Sequence, residues 1–385
     1  MLIEVIKLDH SLIEEQLKLK ENVSDFVSNK IAPRAKEIDE KGEFPWENIK
    51  DMASQGLLGI PIPKEYGGAG MDMLSYCIVL EEIAKRCSNT ALVNLAHVFS
   101  SIAINLFGNN EQKSQYLIPM AEGKKLGAFG ITERTGGSDV GSIRTEARLD
   151  NDNYVINGEK SYITNAGKAD IYVILAFTDK EKGSKGLSAF IVEKGTDGLD
   201  FGKNENLVGM RGISIGEILL NNCIVPAKNI IGKEGDGIKI VLSCIDRGRI
   251  GTSAVSVGLA QGALDASIEY VKKRNMFGKL LSEFQSTQFL IADMATEIEA
   301  ARLLMYQAAS FVGKKERFTL EASMAKLYSS EVAMRAAINS IQIHGGYGLT
   351  KDGPVERYMR DAKTLTIAEG TSEIQRGIIS RIKLR

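Results

Sequence analysis

A long proline-free stretch constrains the fold of this chain more than any other feature of its sequence. The 385 residues include only seven prolines, and none lies between Ala227 and Gly353. Within this stretch, apolar residues recur every three or four positions over residues 236–275, 283–312 and 318–344. Because this spacing places apolar side chains on one face of a helix, it predicts three long amphipathic helices. We expect these helices to pack as an antiparallel bundle.

The rest of the sequence divides into a helical first third and a β-rich middle. Helical spacing marks residues 11–38, 46–55, 72–85 and 90–107. From Gly127 to about Val225, short runs of β-branched and aromatic residues alternate with turn residues, which is typical of strands. The sequence therefore predicts a mainly α fold with a β-domain between two helical domains. We place the domains at residues 1–124, 125–233 and 234–385.

Composition and charge exclude several classes of function. The formal net charge is -1, so no basic field favours nucleic acid. The cysteines are too scattered for a disulfide framework or a zinc site, and the histidines too dispersed for a metal cluster; these residues are Cys77, Cys87, Cys223, Cys244, His10, His97 and His344. Residues 1–9 lack the pattern of a signal peptide, and no run of eighteen apolar residues predicts a membrane span. We therefore expect a protein of the reducing cytoplasm.

One carboxylate near the end of the chain has the setting of a general base. Glu369 follows Ile367 and Ala368 and precedes Gly370 and Thr371. A carboxylate in small, apolar surroundings is poorly solvated, so we expect its pKa to rise from ~4.3 toward ~6–7, which suits a base. Gly370 would let the backbone approach a ligand closely, and Thr371 offers a hydroxyl.

Two segments of the β-domain could contact a flat ring system. Residues 127–139 form a loop rich in glycine and hydroxyl groups, which can satisfy the polar atoms of a heteroaromatic ring. A plain hairpin turn explains the same composition equally well. In residues 160–165, Tyr162 and Thr164 alternate with Ile163 and should share one face of the sheet. Taken alone, they read more simply as a cross-strand packing pair. The loop is not G-x-G-x-x-G and has no βαβ unit around it, so a Rossmann site is excluded.

Two further segments have the residues of a phosphate or cofactor contact. Residues 274–279 read as a helix end followed by a loop, in which Arg274 could hold a pyrophosphate through bidentate hydrogen bonds. An isolated solvated arginine is the simpler interpretation. Residues 342–348 close a helix with a run of glycines. A helix C-cap accounts for that run, and close backbone approach to a cofactor is the functional alternative.

Together, these segments resemble the acyl-CoA dehydrogenase family across essentially the whole chain, and its short-chain, butyryl-CoA dehydrogenase-like members in particular. Five matches occur in the family's order: residues 129–138, 162–164, 274–279, 342–346 and 369–373. The resemblance implies a helical domain, a middle β-barrel or sandwich and a C-terminal four-helix bundle. It also implies a noncovalent FAD, an acyl-CoA thioester substrate, an electron-transferring flavoprotein as partner and a homotetramer built from dimers.

The resemblance assigns roles to individual residues. The cofactor would contact Phe129, Ile131, Thr132, Ser138, Tyr162, Thr164, Thr371 and Glu373. The FAD of a neighbouring subunit would contact Arg274, Phe277, Gln285, Gln342, Gly345 and Gly346. The CoA part of the substrate would contact Ser138, Asp246 and Arg249, with Gly370 beside the thioester. No residue is assigned to a metal. The helix over residues 89–101 would border the acyl tail, and because it contains no arginine, a glutaryl-type dicarboxylate is disfavoured.

The resemblance also implies the reaction. Glu369 would remove the α-proton of the thioester, a hydride would pass from the β-carbon to flavin N5, and a trans-2-enoyl-CoA would result. Some relatives supply their base from the place of Gly248, so glycine there assigns the base to Glu369. Sequence leaves three alternatives open. The site could run in reverse as an enoyl-CoA reductase fed by electron-transferring flavoprotein. The chain could also be a flavin-containing homologue that binds DNA or protein, or a flavin hydroxylase on the same fold.

Overall fold

A computed structural model describes residues 12–315 and 317–384 of the chain. The described residues do not include residues 1–9, His10 or Ser11. The first predicted helix starts at Ser11, so its first residue is not described. The N-terminal part is helical, as predicted. Its α-helices are α1 Glu14–Phe26, α2 Ala35–Lys41, α3 Trp46–Ser54, α4 Met73–Ala84, α5 Ser88–Phe107, α6 Asn110–Gln112 and α7 Ile118–Ala121.

The first predicted helix differs from the prediction in its continuity. The α-helical hydrogen bonding of α1 ends at Phe26, and a π-helical turn at Val27–Ile31 and a 3-10 turn at Ala32–Arg34 precede α2. Pro33 accounts for the break, because proline has no N–H to donate to the preceding turn. The periodicity of apolar residues continues across the break, so sequence spacing alone could not reveal it.

Helix α5 lies at the centre of the molecule. It is the one described helix that is long and apolar enough to cross a membrane by length and composition. However, 72% of its apolar window is buried inside the fold, where it packs against α4, α8 and β1. Its His97 is fully buried and accepts a hydrogen bond from Gly127 N at 3.0 Å. The helix therefore positions the first strand of the β-domain.

The middle of the chain forms one curved sheet. Its strands are β1 Gly127–Gly130, β2 Glu146–Asp150, β3 Asn153–Thr164, β4 Ile171–Phe177, β5 Leu187–Glu193, β6 Leu199–Asn204, β7 Ile215–Pro226 and β8 Ile230–Ile231. The strand order is β6-β7-β3-β2-β4-β5-β8, with β1 parallel to β4. Strands β5 and β7 contact each other although three strands separate them in this order. The sheet thus folds over its own core, which includes Tyr154, Tyr172 and Phe190.

The C-terminal part is a helical bundle, as predicted. Its helices are α8 Gly237–Val271, α9 Gln285–Ser310, α10 Thr319–His344, α11 Val355–Leu365 and α12 Ser372–Lys383. Helix α8 packs against α9 and α10 within the bundle and against α4 and α5 of the first part. Glycines permit this contact: a Cβ on Gly258 would lie 2.2 Å from the Glu81 carbonyl oxygen, and one on Gly262 would lie 2.4 Å from that of Lys85. The two helical parts consequently share one core.

The segment after α8 is more regular than the predicted loop. It forms a hairpin of two short strands, β9 Asn275–Met276 and β10 Lys279–Leu280. Phe277 and Gly278 both have positive φ, 51° and 78°, as a two-residue hairpin turn requires. Helix α8 therefore ends at Val271, four residues before the predicted end.

Candidate active site

Glu369 lies in a tight turn between α11 and α12. Its φ is 55° and that of Gly370 is 91°, so two consecutive residues adopt the left-handed region, which is unfavourable for a glutamate. Buried side chains hold this turn. Gln375 Nε2 donates to the carbonyl oxygens of Glu369 and Gly370, each at 3.0 Å, and Lys326 Nζ donates to that of Gly370 at 2.7 Å. The backbone therefore fixes the direction of the Glu369 side chain.

Gly248 of α8 makes room for the Glu369 carboxyl group. A Cβ built on Gly248 would lie 2.8 Å from Glu369 Oε2 and 2.9 Å from Phe99 Cε2. Neither distance is compatible with a real Cβ. The position at which sequence analysis considered an alternative base thus touches the carboxylate of Glu369. Phe99 of α5, the helix assigned to the acyl tail, forms the other wall.

The electrostatic setting of Glu369 differs in part from the prediction. Burial raises its pKa, as expected, but the charges of Arg249 and Lys326 oppose that rise. The apolar sequence neighbours are not the source of the burial, because the Ile367 side chain is 56% exposed. Instead, residues from α5, α8 and α10 surround the carboxyl group. The expected direction is confirmed, and the surroundings are more charged than the local sequence indicated.

Asp246 and Arg249 form an ion pair on α8, in which Arg249 is buried and Asp246 is partly exposed. Arg249 Nη1 lies 2.7 Å from Asp246 Oδ1, and Thr319 Oγ1 donates to Asp246 Oδ2 at 2.6 Å. Arg249 is only 7% exposed, and its Nε has no hydrogen-bond partner among the described residues. An unpaired buried guanidinium N–H is available for a carbonyl or hydroxyl of a bound molecule.

The glycine-rich loop begins beside the same wall. The Phe129 ring at the end of β1 lies 4.9 Å from the Phe99 ring, centroid to centroid. Ile131 and Thr132 are partly exposed, and Ser138 is exposed farther along the loop. Ser161 N donates to Thr132 O at 2.8 Å, which joins the loop to the end of β3. The structure therefore brings together the two segments that were predicted to contact a ring system.

The end of β3 presents an aromatic surface. The pairing of β3 with β7 shifts register between Lys160 and Ile163, and Tyr162 within this irregularity has a φ of 58°. Its side chain is 56% exposed, whereas Ile163 is buried and Thr164 is partly exposed. Exposure therefore alternates over residues 162–164, although the irregularity at Tyr162 interrupts the regular pleat on which the predicted shared face depends. Ser161 Oγ is buried without a partner among the described residues. Exposed aromatic surface, hydroxyl groups and an unpaired polar atom fit a bound isoalloxazine ring.

A buried ion pair anchors the glycine-rich loop to β3. Lys160 Nζ lies 2.7 Å from Glu133 Oε1, and their side chains are 0% and 4% exposed. Glu133 also accepts hydrogen bonds from Arg144 N, Thr145 N and Thr145 Oγ1 at 2.6, 3.1 and 2.6 Å. Burial lowers the pKa of Lys160 to about 8, against the opposing charge of Glu133. The pair connects the start of the loop with both β3 and the strand that follows the loop.

The remaining predicted cofactor residues lie elsewhere. Arg274 and Phe277 in the hairpin, Gln285 at the start of α9, and Gln342, Gly345 and Gly346 at the end of α10 are all exposed. Tyr270 OH donates to His344 O at 3.4 Å, so both groups occupy the same end of the bundle. This end is far from Glu369, because Gln342 lies about 24 Å from Lys326 along α10. Thr371 and Glu373 follow Glu369 directly, and Thr371 caps α12.

Sequence reasoning missed the residues that hold the site together. No individual role was predicted for Gln375, Lys326, Lys160, Glu133 or Phe99, although the last three lie within the predicted segments 160–165, 127–139 and 89–101. Lys326 had a detectable signal: with Ala322, Ser329 and Ala333 it follows the three- and four-residue spacing of the buried face of α10. A lysine at a core-facing position is uncommon and marks a functional candidate.

The fold defines a flavin-dependent oxidoreductase. Three family descriptions match the chain: the acyl-CoA dehydrogenase N-terminal domain over residues 13–124, the middle domain over residues 128–223 and the C-terminal domain over residues 235–384. The chain belongs to the acyl-CoA dehydrogenase family, and FAD is its cofactor.

Relatives and solved structures agree over nearly the full length. The short-chain specific acyl-CoA dehydrogenase of Clostridium acetobutylicum is 47% identical, covering 97% of this chain and 99% of the relative. The acryloyl-CoA reductase (NADH) of Anaerotignum propionicum is 45% identical, covering 97% and 96%. Butyryl-CoA dehydrogenase from Megasphaera elsdenii superposes with a TM-score of 0.95 at 42% identity, covering 97% and 99%.

One further solved structure is similar to this protein along the whole length of its own chain. It is reported as the electron transferring flavoprotein of Acidaminococcus fermentans, in work toward a mechanism of flavin-based electron bifurcation. The TM-score is 0.97 at 44% identity, with coverage of 98% of this chain and 100% of that chain.

Proposed function

We propose that this protein dehydrogenates a short acyl-CoA thioester to the trans-2-enoyl-CoA, with Glu369 as the base that removes the α-proton. The bound FAD supplies the acceptor for the hydride from the β-carbon. The observation that carries the proposal is the position of the Glu369 carboxyl group. Glu369 Oε2 and Phe99 Cε2 lie 2.8 and 2.9 Å from the place of a Cβ on Gly248, and Phe99 packs against Phe129 at the start of the glycine-rich loop.

Backbone geometry supports a second role for the same residue. The α-proton of a thioester is weakly acidic, so the carbonyl oxygen must meet donors as its negative charge grows. The Glu369 backbone N–H has no hydrogen-bond acceptor among residues 12–315 and 317–384. It is therefore free to donate to the thioester oxygen. A donor of this kind typically lowers the activation barrier by ~3 kcal/mol.

The assignments of the other predicted site residues belong to this proposal. Thr132, Ser138, Tyr162 and Thr164 would hold the flavin, and Asp246 and Arg249 the CoA part of the substrate. The exposed hairpin and glycine run at the far end of the bundle cannot reach the Glu369 site of their own chain. Their distance supports a homotetramer in which they contact the FAD of a neighbouring subunit. Electron-transferring flavoprotein is the proposed partner, and the cytoplasm the proposed location.

A panel of acyl-CoA thioesters tests the proposal. The FAD-loaded protein is mixed under anaerobic conditions with acetyl-, butyryl-, isobutyryl-, octanoyl- and glutaryl-CoA, and loss of the oxidised flavin absorbance is recorded. We expect butyryl-CoA to bleach the flavin. We expect glutaryl-CoA not to do so, because no arginine lies in residues 89–101 to pair with its second carboxylate. Failure of every thioester to bleach the flavin would contradict the proposal.

The reverse direction is a second candidate function. The acryloyl-CoA reductase of Anaerotignum propionicum is 45% identical to this chain, and the same residues would serve a reductase by microscopic reversibility. The flavin potential distinguishes the two directions. An anaerobic redox titration measures the reduction potential of the flavin with butyryl-CoA or crotonyl-CoA bound. A potential high enough for butyryl-CoA to reduce the flavin would support dehydrogenation. A potential too low for that transfer would support the reductase direction.

Gly248 offers a sharp test of the carboxylate position. In Gly248→Ala, the new methyl group would force the Glu369 carboxyl group or the Phe99 ring to move. We expect kcat/KM for butyryl-CoA to fall by about 10²-fold with FAD content unchanged, because a displacement of this size misaligns the base. The matched control is Gly377→Ala in α12, where no atom lies within 4 Å of the added Cβ. Full activity in Gly248→Ala would show that the carboxylate works from another position.

A further inference from the structure

Lys326 is a charged residue in the core of the bundle. Its side chain is 0% exposed, and its Nζ donates to the Gly370 carbonyl oxygen at 2.7 Å. A buried ammonium group destabilises a fold unless hydrogen bonds and opposite charge compensate it. The Gly370 oxygen already accepts a hydrogen bond from Gln375, so that oxygen would not be left unpaired without the lysine. Satisfying the turn therefore does not explain why the residue is a lysine.

The charged groups around Lys326 come from several elements. Arg249 on α8, Glu331 on α10 and Glu373 on α12 act on it together with Glu369. Burial lowers the pKa of Lys326 to about 8, so the side chain is mainly protonated at neutral pH. Its charge and that of Arg249 oppose the rise in the pKa of Glu369 caused by burial, and the Cys244 thiol facing Glu369 from α8 is neutral because burial raises its pKa to about 12. Lys326 thus contacts the backbone of Gly370 and opposes the rise in the pKa of Glu369.

We propose that Lys326 is a positioning residue for the base: its ammonium group fixes the 369–370 turn, and its positive charge favours the ionised form of the Glu369 carboxyl group. This inference deepens the proposed function and rests on it. A purely structural lysine would hold the turn without affecting the ionisation of Glu369. A neutral side chain of similar length at position 326 would therefore change the ionisation of Glu369 under the proposed role and leave it unchanged under a purely structural role.

The test compares Lys326→Met and Lys326→Arg with the wild type. For Lys326→Met we expect the acid limb of the kcat/KM profile for butyryl-CoA to move to higher pH by about one unit, since a nearby opposite charge is lost. Below the limb, kcat/KM should then be about tenfold lower, as one unit of pKa changes the ionised fraction tenfold. The melting temperature should fall modestly, because the variant loses the hydrogen bond to Gly370 and leaves Glu369 with one compensating charge fewer. In Lys326→Arg, which keeps the positive charge, the acid limb should stay at its wild-type pH. Lys50→Met, at an exposed lysine on α3, should also leave the limb unchanged.

A second readout does not depend on turnover. The pKa of Glu369 can be followed by carbon-13 NMR of protein labelled at glutamate side-chain carboxyls, with the signal assigned by its loss in Glu369→Gln. Lys326→Met should raise this pKa. An unshifted pKa and an unshifted acid limb would overturn the inference, and a lower melting temperature with an unshifted limb would show a structural role alone. A wild type that no acyl-CoA reduces would instead refute the proposed function, while the NMR titration would still decide the role of Lys326.

Discussion

Glu369→Gln should keep its FAD and lose about 10³-fold in kcat/KM for butyryl-CoA, within the range that general bases contribute. Glutamine has nearly the same shape, so it preserves the packing against Gly248 and Phe99 and the hydrogen bonds of Gln375 to the turn. It cannot accept the α-proton. The steady-state rate with an artificial electron acceptor measures the loss, and the ratio of flavin to protein absorbance measures FAD retention.

Glu47→Gln is the control for this variant, because Glu47 is an exposed glutamate on α3. It should match the wild type in both measurements. Two results would contradict the account of Glu369. A variant that retains more than a tenth of the activity would mean that another group takes the proton, and a variant that loses its FAD would mean that Glu369 mainly supports the cofactor site.

Lys160→Met should destabilise the protein by about 3 kcal/mol and weaken FAD binding, because breaking a buried ion pair leaves an uncompensated charge. Three hydrogen-bond donors remain on Glu133 after the change, which places the loss at the lower end of the range for such pairs. The loop that follows Glu133 carries Ser138, so loosening its anchor should release the flavin more readily. Denaturant unfolding and the FAD dissociation constant measure the two effects.

A double-mutant cycle separates the pair from its parts. Lys160→Met combined with Glu133→Gln should lose less stability than the sum of the two single variants, because neither charge is then left unpaired. Lys180→Met is the control, since Lys180 pairs with Glu146 on the surface of the same domain and exposed pairs contribute ~0–1 kcal/mol. Equal decreases in the free energy of unfolding for Lys160→Met and Lys180→Met would show that burial of the Lys160–Glu133 pair has no energetic consequence.

Local patterns predicted the main helices and strands and indicated Glu369 as the proposed base. The proline-free spacing predicted α8, α9 and α10 to within four residues at each end, because helix periodicity is a local property of the sequence. Glu369 was identifiable from its immediate neighbours and from the order of the five matching segments. The direction of its pKa shift was also predictable, since burial of any carboxylate raises its pKa.

Long-range contacts could not be predicted in the same way. Lys326 and Gly370 are 44 positions apart, and Lys160 and Glu133 are 27 apart, so no local window contains both partners. The exposure of Ile367 shows the same limit, because an apolar residue next to Glu369 in sequence does not cover it in space. The hairpin after α8 depends on positive φ at Phe277, which no residue preference of phenylalanine indicates.

The most direct test of the central claim is anaerobic rapid mixing of the FAD-loaded protein with butyryl-CoA that carries deuterium at the α-carbon or at the β-carbon. We expect that unlabelled butyryl-CoA reduces the flavin, that each label slows this reduction, and that Glu369→Gln slows it about 10³-fold. Reduction that is insensitive to the α-label, or that keeps more than a tenth of its rate in Glu369→Gln, would contradict proton removal by Glu369.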